Sequence, residues 1–181
     1  MLIVMPPTVT HADAMSFMVT WWMAVKQQYH RILPETPTYG LRGQSQVDAY
    51  LFVWSAHNLR TAAELVFTSV PHEVKPAVRQ AVDEFDLAAP DIRKMRNAIS
   101  HFDDYAFGRG ALQARDADAA FGIYGAAIPG DFQLFVCLAP GAPRLELSVA
   151  TTAAAADRLF QGVGRSVDHL PMPTFPGVSR P

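Results

Sequence analysis

Between residues 12 and 33, Met15, Met18, Trp22, Val25, Tyr29 and Ile32 recur at alternating spacings of three and four. That is the period of an amphipathic helix, and Phe17, Trp21 and Ala24 widen its apolar stripe. Pro34 and Pro37 close it, and 34–43 reads as a loop. Ser45 with Asp48 is a capping signal for a second helix running to Ser69. Val47, Tyr50, Leu51, Trp54, Thr61 and Leu65 occupy one of its sides and Phe52, Leu59, Ala63 and Val66 another, so it needs several neighbours and is expected at the centre of a bundle. Pro71 and Pro76 suit a loop and a first helical turn. Val74, Val78, Val82 and Phe85 then predict a third helix through residue 87. After Pro90, the stripe Ile92, Met95, Ile99, Phe102 and Ala106 predicts a fourth, ended by Gly108-Arg109-Gly110.

Beyond residue 110 the period changes. Phe121–Tyr124, Phe132–Leu138 and Arg144–Val149 read as short strands, separated by Pro129-Gly130-Asp131 and Pro140-Gly141-Ala142-Pro143. An antiparallel meander is the economical arrangement. Thr151-Thr152 is the expected cap of a last helix to about Asp168, with Leu159, Phe160, Val163 and Val167 apolar, and a flexible Pro-rich tail follows over 170–181. The predicted fold class is mainly α: a single domain over 1–169, with a four-helix unit at 12–108, a small β meander at 111–150 and a C-terminal helix at 151–169.

The chain has 181 residues, 50% hydrophobic and 18% charged, which suits one domain with a substantial core and excludes wholesale disorder. Fifteen basic against seventeen acidic residues leave a net charge of −2, so no global positive field draws the chain to nucleic acid or anionic lipid, and any such contact is local. Twelve of the basic residues are arginine, suited to forked bonding of phosphate but equally the mark of an arginine-rich genome. The single Cys137 forms no intrachain disulfide and lies in an apolar run, as a buried structural thiol in a reducing compartment would. Met1–Met5 lacks a basic n-region and is stopped by Pro6-Pro7, and the apolar run Ala14–Val25 falls short of the ~20 residues of a membrane span. The expectation is a cytoplasmic protein without a membrane partner.

Phosphate-binding loops, dinucleotide fingerprints, zinc-protease and nucleophile-elbow motifs are absent from the sequence. The six histidines show no metal-ligand spacing, so neither metal nor other cofactor is expected. The densest run of polar chemistry is Arg93-Lys94-Met95-Arg96-Asn97-Ala98-Ile99-Ser100-His101-Phe102-Asp103-Asp104-Tyr105. On a continuous helix buried along 92, 95, 99, 102 and 106, the residues Arg93, Asn97, His101 and Asp104 align on the opposite face, with Arg96 at the flank beside Asp103. An imidazole and guanidinium groups on one surface suit a phosphodiester and proton transfer at its neighbouring hydroxyl. The same pattern is what any surface helix presents, its aspartates neutralising its arginines. Elsewhere, His57, Arg60 and Glu64 form a polar stripe on the apolar second helix, expected to be an internal bonded set rather than a groove lining. Gly122-Ile123-Tyr124-Gly125 has the spacing of a single-strand-binding clamp but lacks its helical context.

Arg96-Asn97-Ala98-Ile99-Ser100-His101, late in a helical unit, resembles the Arg-x4-6-His motif of the HEPN superfamily, whose common form carries a polar residue directly after the arginine. The resemblance covers roughly residues 12–108 and implies a four-helix HEPN-like bundle. It implies a metal-independent endoribonuclease acting as a homodimer, with His101 as acid or base, Arg96 stabilising phosphate charge and Asn97 positioning either. Arg93, Ser100 and Asp104 join these as candidate substrate contacts. Members of that superfamily also include toxins and defence effectors with antitoxin-like protein partners, and non-catalytic interaction or regulatory modules. The tyrosine that some HEPN toxins carry two residues after the histidine is Asp103 here, so its modification does not transfer, and Tyr105 reads as a packing residue.

Overall fold

A computed structural model describes residues 9–33, 44–106, 109–111, 121–138 and 144–170 of the chain, with the side chains of 44–46, 103 and 105 left out. The expected 34–43 loop, the 140–143 turn, the opening apolar segment, the Pro-rich tail beyond Leu170, and the side chains of Asp103 and Tyr105 lie outside the described residues. The architecture is mainly helical with one small antiparallel sheet, in the order α1 (His11–Ile32), α2 (Gln44–Ser69), α3 (Lys75–Ala88), α4 (Ile92–Ser100), α5 (Phe102–Ala106), β1 (Gly122–Ile128), β2 (Asp131–Cys137), β3 (Leu145–Ser148) and α6 (Val149–Val167). Among the described residues no helix is long and apolar enough to cross a membrane.

Helix α1 starts at a capping box in which the Asp13 N–H donates to Thr10 Oγ1 and the Thr10 N–H donates to Asp13 Oδ2, matching two orphan donors of the first turn. Its stripe buries Met18, Val25 and Ile32 against α2. Helix α2 packs on α1, α3, α4 and α6 and buries Phe52, Leu59, Ala63 and Val66, but Val47, Leu51, Trp54 and Leu65 on the side also expected to be covered are exposed. Its first turn differs from the expected cap at Ser45 and Asp48: the helix already runs from Gln44, and Asp48 is buried inside it, paired with Arg31 at 3.5 Å.

The largest departure is α6. Expected as an addition beyond a four-helix unit, it packs on α1, α2 and α3 and shares their core. Trp22 stacks on Phe160 at 4.5 Å, and Asp157 accepts from Trp22 Nε1 at 2.7 Å and from Lys26 Nζ at 3.0 Å. The alanines at 153, 155 and 156 are buried; their small side chains let neighbours approach closely while keeping high helix propensity. The fourth helix of the predicted unit is instead short, ending at Ser100.

The sheet is the expected meander, ordered β1-β2-β3 with Leu134 opposite both Gly125 and Leu147. Phe132, Leu134 and Val136 face the core and β2 packs on α6. Alternation then turns Cys137 to the other face, so the thiol is half-buried beside the Tyr124 hydroxyl at 3.1 Å rather than sealed in the core. Gly122-Ile123-Tyr124-Gly125 lies within β1 and is strand, not a clamp loop. Between β1 and β2 the chain turns at Pro129-Gly130, where Gly130 adopts φ +77°, a value glycine alone takes cheaply.

Ser148, not Thr151-Thr152, caps α6 by accepting from the Thr151 N–H at 3.0 Å. Asp131 completes that end from the hairpin, accepting from the Ala150 N–H at 2.8 Å and the Ser148 hydroxyl at 2.6 Å. Sheet and bundle are thus pinned at one point.

Candidate functional site

Helix α4 lies against α2, with Ile92, Met95 and Ala98 buried. Burial along 92, 95 and 98 turns the flank bearing Arg96 toward α2, where its Nη2 lies 2.9 Å from Nε2 of His57. A guanidinium has no acceptor, so Nε2 accepts and the imidazole proton sits on Nδ1. The Arg96 Cζ lies 5.9 Å from the centre of the Trp54 ring, at the outer reach of a cation–π contact. His57 Nδ1 and Arg96 Nε are both buried without a hydrogen-bond partner.

Burial, together with the charges of Arg96, Arg60 and Arg93, lowers the His57 pKa from 6.5 to about 4, with Asp86 opposing. Near neutrality His57 is therefore an uncharged acceptor and has no proton to spare as an acid. Its neighbours on α2 are committed elsewhere. Arg60 forks onto Asp86 at 2.9 and 2.7 Å, and Glu64 bridges Arg60 at 3.0 Å and Arg79 at 2.9 Å, so these two residues of the stripe tie α2 to α3.

The apolar stripe from Ile92 to Ala106 predicts one continuous helix through residue 106. His101 instead adopts φ −122° and ψ 39° as the C-cap, its N–H donating to the Asn97 carbonyl. That dihedral shifts the phase of everything after it. Phe102, expected in the buried stripe, is 63% exposed, and Ala106 is exposed as well. His101 emerges in solvent at the end of the helix. Arg93 is exposed, Asn97 half-buried, and the Ser100 hydroxyl donates to the Arg96 carbonyl at 2.8 Å. Asp104 is half-buried, and its carbonyl accepts from the Arg109 N–H.

The structure thus brings Arg96 onto His57, where the charge of Arg93 is also felt. Among the described residues no hydrogen bond joins Arg96 to His101. His57 and Trp54 are the site residues that motif reasoning missed; the signal was a histidine interrupting the apolar surface of α2. No group of three or more His, Cys, Asp or Glu side chains is placed to hold a metal ion among the described residues. No family model, curated protein or solved structure matches the chain.

Proposed function

We propose that the chain is a HEPN-type, metal-independent endoribonuclease that works as a homodimer and serves as a toxin or defence effector restrained by an antitoxin-like protein. The observation that carries this reading is the exposure of His101 where α4 ends, about one and a half turns beyond the clamped guanidinium of Arg96 and with Arg93 exposed on the same helix. Arg96 and Arg93 draw the phosphodiester in, and Asn97 and Asp104 border it. His101 removes the 2′-hydroxyl proton, O2′ attacks phosphorus, and the departing 5′ oxygen takes a proton from His101 of the second copy, leaving a cyclic phosphate. The exposed apolar residues Phe17 and Met23 on α1, and Leu51, Trp54 and Leu65 on α2, support association of two copies.

RNA cleavage in EDTA by the wild type, His101→Ala and Arg96→Ala tests the reading. Activity in the wild type that falls at least 100-fold in both folded variants supports it. An inert, folded wild type points to the second reading, a non-catalytic interaction or regulatory module. That reading is favoured by one observation, the bonding of Arg96 to His57 rather than to His101.

A further inference from the structure

We infer that His57 is the positioning residue of this site, an uncharged clamp that fixes the Arg96 guanidinium without neutralising it. The inference rests on the proposed reading only for the identity of the anion that Arg96 meets. Of the arginines on α2, α3 and α4, Arg60, Arg79 and Arg96 are anchored in two chemically different ways. Arg60 and Arg79 are held by carboxylates, Asp86 and Glu64, so their charge is spent inside the protein. Arg96 is held by an imidazole nitrogen.

The charged groups that act on that imidazole are Arg60 from α2, Asp86 from α3, and Arg93 and Arg96 from α4, of which Arg96 is hydrogen-bonded to it. Asp86 has both oxygens engaged by Arg60. Burial first, and then the charges of Arg96, Arg60 and Arg93, keep the ring unprotonated, and the unprotonated ring is the state that accepts from Arg96. A free arginine side chain carries about 2 kcal/mol of rotamer entropy. A second anchor removes part of that freedom before a ligand arrives, which is what an anion site needs. A carboxylate would supply the anchor and cancel the charge.

The test uses the isotopically labelled full chain and a 2′-O-methyl oligonucleotide, which binds without being cut. In the wild type, imidazole nitrogen shifts are expected to show His57 with its proton on Nδ1. His57→Ala is expected to weaken oligonucleotide binding about tenfold, the size of one charge-assisted hydrogen bond. His57→Gln, which keeps a neutral acceptor, recovers most of it. His57→Glu keeps the protein folded with Arg96 anchored, yet binds worse than His57→Gln. A His57→Glu protein that binds as tightly as the wild type, or a His57 proton found on Nε2, overturns the clamp. A wild type that ignores the oligonucleotide defeats the nuclease reading instead, and the tautomer then decides the clamp alone: Nδ1–H upholds it and Nε2–H removes it.

Discussion

Arg96 on α4 and His57 on α2, 39 positions apart, share a 2.9 Å hydrogen bond in which the arginine can only donate. This contact joins α4 to the central helix and fixes the tautomer of the imidazole, with its proton on Nδ1. It also separates two histidines: His57 is bonded between helices, and His101 is exposed at the end of α4.

Stability is expected to fall in acid through His57. Its pKa is 6.5 when unfolded and about 4 when folded, so the unfolded chain takes up the proton first. The contribution is complete above pH 6.5, shrinks as pH drops, and is gone below 4. A shift of this size corresponds to a little over 3 kcal/mol for a fully buried group; solvent screening at this half-exposed pair reduces it to about 1–2 kcal/mol. The unfolding free energy of the wild type from urea titrations at pH 7 and pH 4 should drop by that amount more than that of His57→Gln.

Asp131 is a second small centre of organisation. Its carboxylate accepts from the N–H groups of Phe132 and Ala150, the Gln133 amide and the Ser148 hydroxyl, joining the β1–β2 turn to the start of α6. Asp131→Ala leaves these donors unmatched and is expected to cost about 2–4 kcal/mol in urea unfolding, with Asp131→Asn losing less.

Periodicity carries α1, α2 and α3 almost residue for residue, because each has an unbroken apolar stripe bounded by proline or a cap. It fails at His101 for a local reason: the residues after it keep a helical spacing, but a single non-helical dihedral puts Phe102 out of register with Met95 and into solvent. At α6 it gives the helix but not its place, and the reason is topological. Nothing in the run from Val149 to Val167 says that its alanines will meet α1, α2 and α3 rather than solvent. The Arg96 flank was legible as a special feature; its partner was not, since helical spacing relates residues within a turn and His57 comes from another helix.

Two glycines in α6 give a matched pair of experiments. A Cβ at Gly162 would lie 3.1 Å from the Ala81 Cβ of α3, whereas a Cβ at Gly164 meets nothing within 4 Å. Alanine gains about 0.5–1 kcal/mol over glycine in a helix. Gly164→Ala should therefore raise the melting temperature by a few degrees, and Gly162→Ala should show no gain because crowding against α3 offsets the propensity.

On α2, Val47, Leu51, Trp54, Asn58, Thr61 and Leu65 repeat at alternating spacings of four and three, and Val47, Leu51, Trp54 and Leu65 are 49%, 44%, 42% and 37% exposed. That is the spacing of a helix–helix seam presented to the outside. Its midpoint falls between Trp54 and Asn58, so antiparallel pairing of two copies about a two-fold axis sets Val47 opposite Leu65 and Leu51 opposite Thr61. Trp54, the ring beneath Arg96, then lies beside the axis, and both guanidiniums come to one crevice. Leu51→Glu with Leu65→Glu places like charges in the seam while touching only exposed positions, so it should leave the monomer fold within about 0.5 kcal/mol of the wild type. Sedimentation at micromolar concentration should show a wild-type dimer and a variant monomer, with RNA cleavage falling in parallel. A wild type that sediments as a monomer under these conditions removes both the seam and the shared crevice that the nuclease reading requires.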